Sequence, residues 1–176
     1  MNKIKYFLIM LYSLFIPIIG WVVVTTYLSK SDQKIIGYIL LSLYLISLIF
    51  LFIFGILNIR NSIKLQKEND LNELKKSTKL IKIGAIPFFV LNFLVSVFFI
   101  AISHGMGLLI APLLVFLTYL ILLVTSSYSI CLINLIMKKE LKSNKWMLIQ
   151  ILLQLCFVFD ILGLFFILNK KYYMEN

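Results

Sequence analysis

Asp160 is the only acidic residue inside a long apolar stretch, and it has the clearest capacity for chemistry in this chain. It belongs to WMLIQILLQLCFVFDILGLFFIL (146–168), and in a helix it would lie about 12 Å from the far end of that stretch. A charge this deep in a membrane costs about 2.5–3.5 kcal/mol. We therefore expect Asp160 to be protonated, hydrogen-bonded to neutral groups or exposed to a wet cavity, and such a group would suit a proton or ion carrier.

Other polar residues of the apolar stretches extend this candidate intramembrane polar site. They are Asn92, Ser96, Thr118, Tyr119 and Gln154. Asn92 and Ser96 are four residues apart and share a helical face, and Gln154 falls in the same sector of about 120° as Asp160. Two interpretations stay open: these groups bond across helices and hold a bundle together, or they surround a substrate or ion. A second polar run, TSSYS (125–129), is expected to serve packing, because small hydroxyl residues let helices approach closely.

The inventory of reactive residues argues against an enzyme. His104 is the only histidine, and it would lie about 40 Å along a helix from Cys131 and at a different depth from Cys156. An intramembrane aspartyl protease needs a second carboxylate, and the motifs H-E-x-x-H, P-loop and G-x-S-x-G do not occur. We expect no catalytic residue, no metal and no cofactor.

The composition places these residues in membrane helices. The 176 residues are 62% hydrophobic and 14% charged, with a mean hydropathy of +1.03, whereas a soluble domain is roughly 45–50% apolar and about 25% charged. A helix needs about 20 apolar residues to cross the hydrocarbon layer. Five stretches reach that length: about 6–28, 35–59, 81–103, 107–136 and 146–168. The sequence predicts an all-α integral membrane protein with a single membrane domain (1–176), a bundle of five transmembrane helices with short loops. It leaves open whether 107–136 crosses once.

The distribution of basic residues predicts the orientation. With the N-terminus inside, thirteen of the 17 Lys and Arg residues fall on the cytoplasmic side, and only Lys30, Lys34, Lys170 and Lys171 fall outside. Short loops rich in Lys and Arg stay in the cytoplasm. The sequence therefore predicts a cytoplasmic N-terminus and an external C-terminus, although Lys170 and Lys171 would fit better inside.

Two charged stretches remain for contacts outside the membrane. The larger is RNSIKLQKENDLNELKKSTK, within a predicted cytoplasmic loop 60–80 that consists of helix extensions or a short surface helix. The other is 137–145. The net charge of +10 sits beside the apolar stretches, which favours lipid headgroups over nucleic acid as its partner.

The composition, in which Lys, Ile, Asn and Leu dominate, resembles that of small membrane proteins of low-GC bacteria, and no motif accompanies this resemblance. It implies the bacterial cytoplasmic membrane. The leading hypothesis is a non-enzymatic accessory, immunity-type or transporter subunit whose partner docks on 60–80 and 137–145. The alternative is a self-contained carrier or channel for a small solute or proton that uses Asp160. A third interpretation is an oligomeric structural protein that packs through its small residues.

Overall fold

The computed structural model describes residues 2–27, 30–102, 107–140 and Ile149, and nearly all of these are α-helical. The described helices are α1 Asn2–Ser13, α2 Phe15–Tyr27, α3 Lys30–Lys67, α4 Leu71–Ile102 and α5 Gly107–Glu140. The predicted helix 146–168, with Asp160 and Gln154, lies outside the described residues except for Ile149. The predicted count of five transmembrane helices is therefore not confirmed.

Four segments of the described chain are long and apolar enough to cross a membrane: Asn2–Tyr27, Asp32–Lys67, Leu71–Phe98 and Leu114–Lys138. They contain 26, 36, 28 and 25 residues, and about 20 suffice for the hydrocarbon layer. They coincide with the first four predicted helices. The stretch 107–136 is part of one continuous helix, α5.

Within the predicted first helix (6–28) the structure has a break at Leu14, since α1 ends at Ser13 and α2 begins at Phe15, although Asn2–Tyr27 forms one candidate span. Pro17 explains the break. Its nitrogen carries no hydrogen to donate to the Ser13 carbonyl four residues earlier, and its ring would clash with that carbonyl. As the third residue of α2, Pro17 stands in the first turn, where a missing N–H does no harm.

Contacts divide the chain into two compact units, Met1–Asn58 and Ile59–Asn176, with the boundary inside α3. In the first unit, the rings of Tyr6 and Phe54 lie 5.8 Å apart, and Asn58 Nδ2 donates to the Lys3 carbonyl over 3.1 Å. Towards the other end of this unit, α2 and α3 approach closely at glycines. A Cβ added to Gly37 would lie 2.5 Å from the Trp21 ring.

In the second unit, α4 and α5 form the most extensive helix–helix contact of the described chain. The buried residues of α4 recur at alternating spacings of four and three: Leu74, Thr78, Ile81, Ala85, Phe88 and Asn92. Those of α5 follow the same spacing: Leu114, Ile121, Thr125, Tyr128, Leu132 and Leu135. This is the repeat by which two helices interlock their side chains along a seam. In lipid such a seam is stabilised by van der Waals packing and by the polar groups it contains, because apolar burial gains little there.

The loop predicted over 60–80 is almost entirely helical. α3 continues to Lys67 and α4 starts at Leu71, so only three residues connect them. Of the two alternatives that the sequence allowed for this stretch, the structure has extensions of the neighbouring helices. We call residues 60–79 the polar hairpin.

The turn of the polar hairpin has a defined chemistry. Asn69 adopts the left-handed conformation, with φ 55°, which Asn tolerates better than most residues. The Asn69 and Asp70 amides donate to the carbonyls of Gln66 and Leu65, at 3.2 and 3.3 Å, and this pair of bonds is the Schellman motif that ends many helices. Asp70 Oδ1 then accepts from the Glu73 amide at 3.0 Å, as the N-cap of α4. Backbone carbonyls at the end of α3 and an amide at the start of α4 therefore find hydrogen-bond partners within a turn of three residues.

Candidate functional site

A hydrogen bond between α4 and α5 joins two of the predicted site residues. Asn92 is 6% exposed, and its Nδ2 donates to Thr118 Oγ1 over 2.6 Å and reaches the Leu114 carbonyl at 3.4 Å. The Thr118 hydroxyl donates in turn to the Leu114 carbonyl at 2.8 Å. Counted from Ile102, Asn92 lies about 15 Å along α4, near the middle of a hydrocarbon layer of about 30 Å.

The remaining predicted site residues do not all join this pair. Ser96 stays beside Asn92, but its hydroxyl donates to the Asn92 carbonyl of its own helix at 2.7 Å. Tyr119 is 59% exposed and lies off the α4–α5 seam. Asp160 and Gln154 lie outside the described residues. Within the described chain, the candidate intramembrane polar site therefore consists of the interhelical hydrogen bond between Asn92 and Thr118 and the neighbouring Ser96 hydroxyl.

A larger group of polar side chains lies nearer the polar hairpin, and we call it the turn-end cluster: Asn61, Ser62, Ser127, Tyr128 and Cys131. Asn61 Nδ2 donates to the Tyr128 hydroxyl at 3.1 Å. Ser62 Oγ lies 3.3 Å from Ser127 Oγ and accepts from the Cys131 thiol at 3.6 Å. The cluster ties the end of α3 to α5, and Tyr128 and Ser62 within it are fully buried.

Lys82 is buried at a similar level of the bundle. Counted from the Asn92–Thr118 bond, Lys82 on α4 and Tyr128 on α5 both lie about 15 Å towards the polar hairpin. Lys82 is only 3% exposed. Because α4 starts at Leu71, eleven helical residues place Lys82 about 16 Å from the turn.

Two buried hydroxyls in this region have no hydrogen-bond partner among the described residues, those of Ser77 and Ser129. Both residues are 0% exposed. Other hydroxyls of the same helices bond to their own backbone, as Thr78 does to the Leu74 carbonyl at 2.7 Å and Ser127 to the Val124 carbonyl at 2.7 Å. Buried polar atoms are usually paired, by ordered water if not by protein. Each of the Ser77 and Ser129 hydroxyls can therefore form a further hydrogen bond, for which the described residues supply no partner.

The chemistry of these groups is that of binding and packing. Hydroxyls, amides and one ammonium can donate and accept hydrogen bonds. Within residues 2–27, 30–102 and 107–140, no three His, Cys, Asp or Glu side chains come together in a way that could hold a metal ion.

The sequence predicts TSSYS (125–129) as a packing element. In the structure four of its five residues are buried, and Thr125 and Ser127 bond to carbonyls of their own helix. What the sequence analysis does not predict is the connection of this run to Asn61 and Ser62. The signal was available, since Asn58, Asn61, Ser62 and Leu65 repeat at helical spacing, but the helix extensions predicted for 60–80 were not assigned a buried face.

Comparison with family models gives one match, described as a family of unknown function (DUF6652), which covers residues 2–173. The match spans nearly the whole chain, so the protein belongs to this family. Comparisons with curated proteins and with solved structures found no match.

Proposed function

We propose that this member of the DUF6652 family is a non-enzymatic integral membrane protein that acts as an accessory, immunity-type or transporter subunit. In this proposal the N-terminus is cytoplasmic, as the distribution of Lys and Arg predicts, and a cytoplasmic protein partner docks on the polar hairpin. The observation that carries the proposal is the polar hairpin itself, a helical and highly charged end of α3 and α4 among described helices that are otherwise mainly apolar.

The lengths of α3 and α4 support such a projection. They have 38 and 32 residues, which correspond to about 57 and 48 Å of helix against a hydrocarbon layer of about 30 Å. Part of the surplus is polar and lies at one end, where Arg60 to Lys67 and Leu71 to Lys79 each add about 10–12 Å. A short polar loop would suffice to connect two spans, so these ordered charged turns call for another role.

The charge of the polar hairpin indicates the kind of partner surface. Its exposed basic residues are Arg60, Lys64, Lys67, Lys76 and Lys79, with Lys75 half-buried. Its acidic residues are Glu68, Asp70 and Glu73. Among the described residues, one ion pair forms within it, Lys64 with Glu68 at 3.5 Å, and both side chains are largely exposed. Such a pair contributes little to stability, so the basic excess remains free to complement an acidic surface.

The test is purification of the tagged protein from its native host in lipid nanodiscs, followed by mass spectrometry of the proteins that accompany it. We expect a stoichiometric partner with the wild type. The double variant Lys76→Glu/Lys79→Glu should lose that partner, because it reverses two exposed charges of the polar hairpin. A matched control is Lys34→Glu, which reverses an exposed charge on the opposite side of the predicted topology. Purification of the wild type alone, or equal loss in the control, would contradict the proposal.

The second candidate is the carrier or channel for a small solute or proton. The buried Lys82 favours it, because ionisable groups inside membrane bundles commonly mark ion or substrate paths. The buried hydroxyls of Ser77 and Ser129, which have no partner among the described residues, are polar groups that a path could use. Asp160 remains the predicted titrating group of this candidate.

Transport into liposomes separates the two candidates. A carrier should take up solute or protons without any partner, and Asp160→Asn should abolish coupling to a pH gradient while the protein stays folded. Lys82→Met should reduce transport, whereas Lys79→Met, an exposed neighbour on α4, should not. Absence of transport by the purified wild type across gradients of protons, alkali cations and common anions would remove the carrier candidate.

A further inference from the structure

A cleft of about 350 Å³ opens along the first arm and the turn of the polar hairpin, between the last turns of α3 and the last turns of α5. The residues that line it are Ile63, Gln66, Lys67, Asn69, Asn134, Leu135 and Lys138. Its size is in the range of small-molecule sites. All of these residues belong to the second compact unit.

The polar groups of the cleft call for an anion. Lys67 and Lys138 supply two ammonium groups, and the described residues of its lining include no carboxylate. Two helices end beside the cleft, and bare helix carbonyls there would favour cations. The carbonyls of Leu65 and Gln66 at the end of α3 already accept hydrogen bonds from the turn of the polar hairpin. The charge of the lysines therefore outweighs the partial negative charge of the α3 carbonyls in this part of the cleft.

Asn134 adds a requirement for a hydrogen-bond donor. Its side-chain oxygen is buried and has no partner among the described residues, and the residue lines the cleft. An ionised phosphodiester alone would satisfy the lysines but has no hydrogen to donate to this acceptor. A ligand that combines a phosphate with a hydroxyl would satisfy both, because the hydroxyl can donate to the amide oxygen.

The cleft also lies at the depth of lipid headgroups. Arg60 is the first charged residue after the apolar stretch of α3, and Ile63 and Lys67 follow it by about 4–10 Å. The headgroup layer adds about 5–8 Å on each side of the hydrocarbon. Two candidate membrane spans end at Lys67 and Lys138 themselves. Ile63 and Leu135 give the cleft an apolar wall that would suit the start of the acyl chains.

We infer that this cleft binds the headgroup of an anionic glycerophospholipid that carries a hydroxyl beyond its phosphate, of the phosphatidylglycerol type. Lys67 and Lys138 contact the phosphate, and the Asn134 amide accepts from the headgroup hydroxyl. The inference does not depend on the protein partner, since it rests on the lining of the cleft and its position at the span ends.

The test is native mass spectrometry of protein released from phosphatidylcholine nanodiscs that contain phosphatidylglycerol as the minor lipid. We expect wild type to retain phosphatidylglycerol in preference to phosphatidylcholine. Each lysine near an anionic surface changes affinity by about five-fold, so Lys67→Gln/Lys138→Gln should lower retention by roughly 25-fold. The control Lys64→Gln/Lys79→Gln removes the same charge outside the cleft and should change retention less than about two-fold. Equal losses in both double variants would show diffuse attraction and overturn the inference, as would a wild type that retains the two lipids equally.

Two further arms distinguish the ligand chemistry. Asn134→Ala should weaken retention of phosphatidylglycerol but leave that of phosphatidylmethanol, an anionic phosphodiester without a headgroup hydroxyl, unchanged. Equal effects on both lipids would refute the role of Asn134. Millimolar inorganic phosphate should not displace the lipid. Displacement would instead identify a site for soluble phosphate and overturn the assignment to a lipid.

Discussion

Gly37→Ala tests the packing of α2 against α3 most sharply, because one atom is added at a contact that has no room for it. The new Cβ would lie 2.5 Å from Cζ3 and 3.2 Å from Cη2 of Trp21. Favourable carbon–carbon contacts need about 3.5–4.0 Å. The indole ring or the helix therefore has to move by about 1 Å.

The net effect combines two opposing contributions. Overpacking a well-packed contact costs about 1–3 kcal/mol, whereas replacing a helical Gly by Ala stabilises the helix by about 0.8–1 kcal/mol. Trp21 is 48% exposed, so its ring can relax partly towards lipid. We expect Gly37→Ala to destabilise the protein by about 1 kcal/mol. Gly20→Ala is the matched control, because its Cβ would meet only the end of the flexible Leu40 side chain, at 3.0 Å. It should be neutral or slightly stabilising.

The assay is unfolding by SDS titration in mixed micelles, followed by circular dichroism, for both glycine variants and for Trp21→Leu. In the Trp21→Leu background, Gly37→Ala should lose its cost, since the ring that it displaces is gone. If Gly37→Ala is as stable as Gly20→Ala, or if its cost survives the removal of the Trp21 ring, the packing argument is refuted.

Three further experiments test other features of the helices. In a double-mutant cycle, Asn92→Leu and Thr118→Val should show a coupling of about 0.6–1.7 kcal/mol, the range of interhelical hydrogen bonds in membranes; additive effects in the same SDS titration would mean that the bond is not formed. Asp70→Ala should cost about 1 kcal/mol through the lost N-cap of α4, and faster amide hydrogen exchange confined to the first turn of α4 would locate the effect there. Pro17→Ala supplies a new amide hydrogen that can be donated to the Ser13 carbonyl and should join α1 to α2. Slow hydrogen exchange of this new amide at position 17 would report the joined helix; exchange as rapid as that of an unbonded amide would assign the break to another cause.

Much of the helical architecture can be predicted from the sequence, because apolar length is a strong signal in a membrane protein. The first four predicted stretches all correspond to helices. The prediction fails where apolar length carries no information. Pro17 divides a stretch whose hydropathy is continuous, and apolar length does not decide between the two helical alternatives for the polar residues 60–79. Asn69 and the sequence D-x-x-E at Asp70 and Glu73 are the local signals of the turn.

The candidate site was predicted less well, because depth along a helix does not specify which face a residue occupies. Asn92 and Thr118 lie at similar depths and on the faces by which α4 and α5 contact each other, so their side chains form a hydrogen bond. Tyr119 lies at the same depth, one residue further along α5, and is turned out of the seam by about 100°. The turn-end cluster escaped prediction because the sequence does not show that Asn61 and Ser62 lie on the face of α3 that packs against α5.

The most direct test of the proposed function is photocrosslinking in living cells of the native host, with a benzophenone amino acid placed at Lys76 of the polar hairpin or at Leu123. Lys76 is exposed at the polar end, whereas Leu123 is 51% exposed within the span Leu114–Lys138 and is expected to face lipid. The proposal predicts a crosslink from position 76 to one cytoplasmic or membrane-associated protein and no protein crosslink from position 123. Protein crosslinks from position 123 alone, or none from position 76, would contradict the claim that the polar hairpin is a docking site.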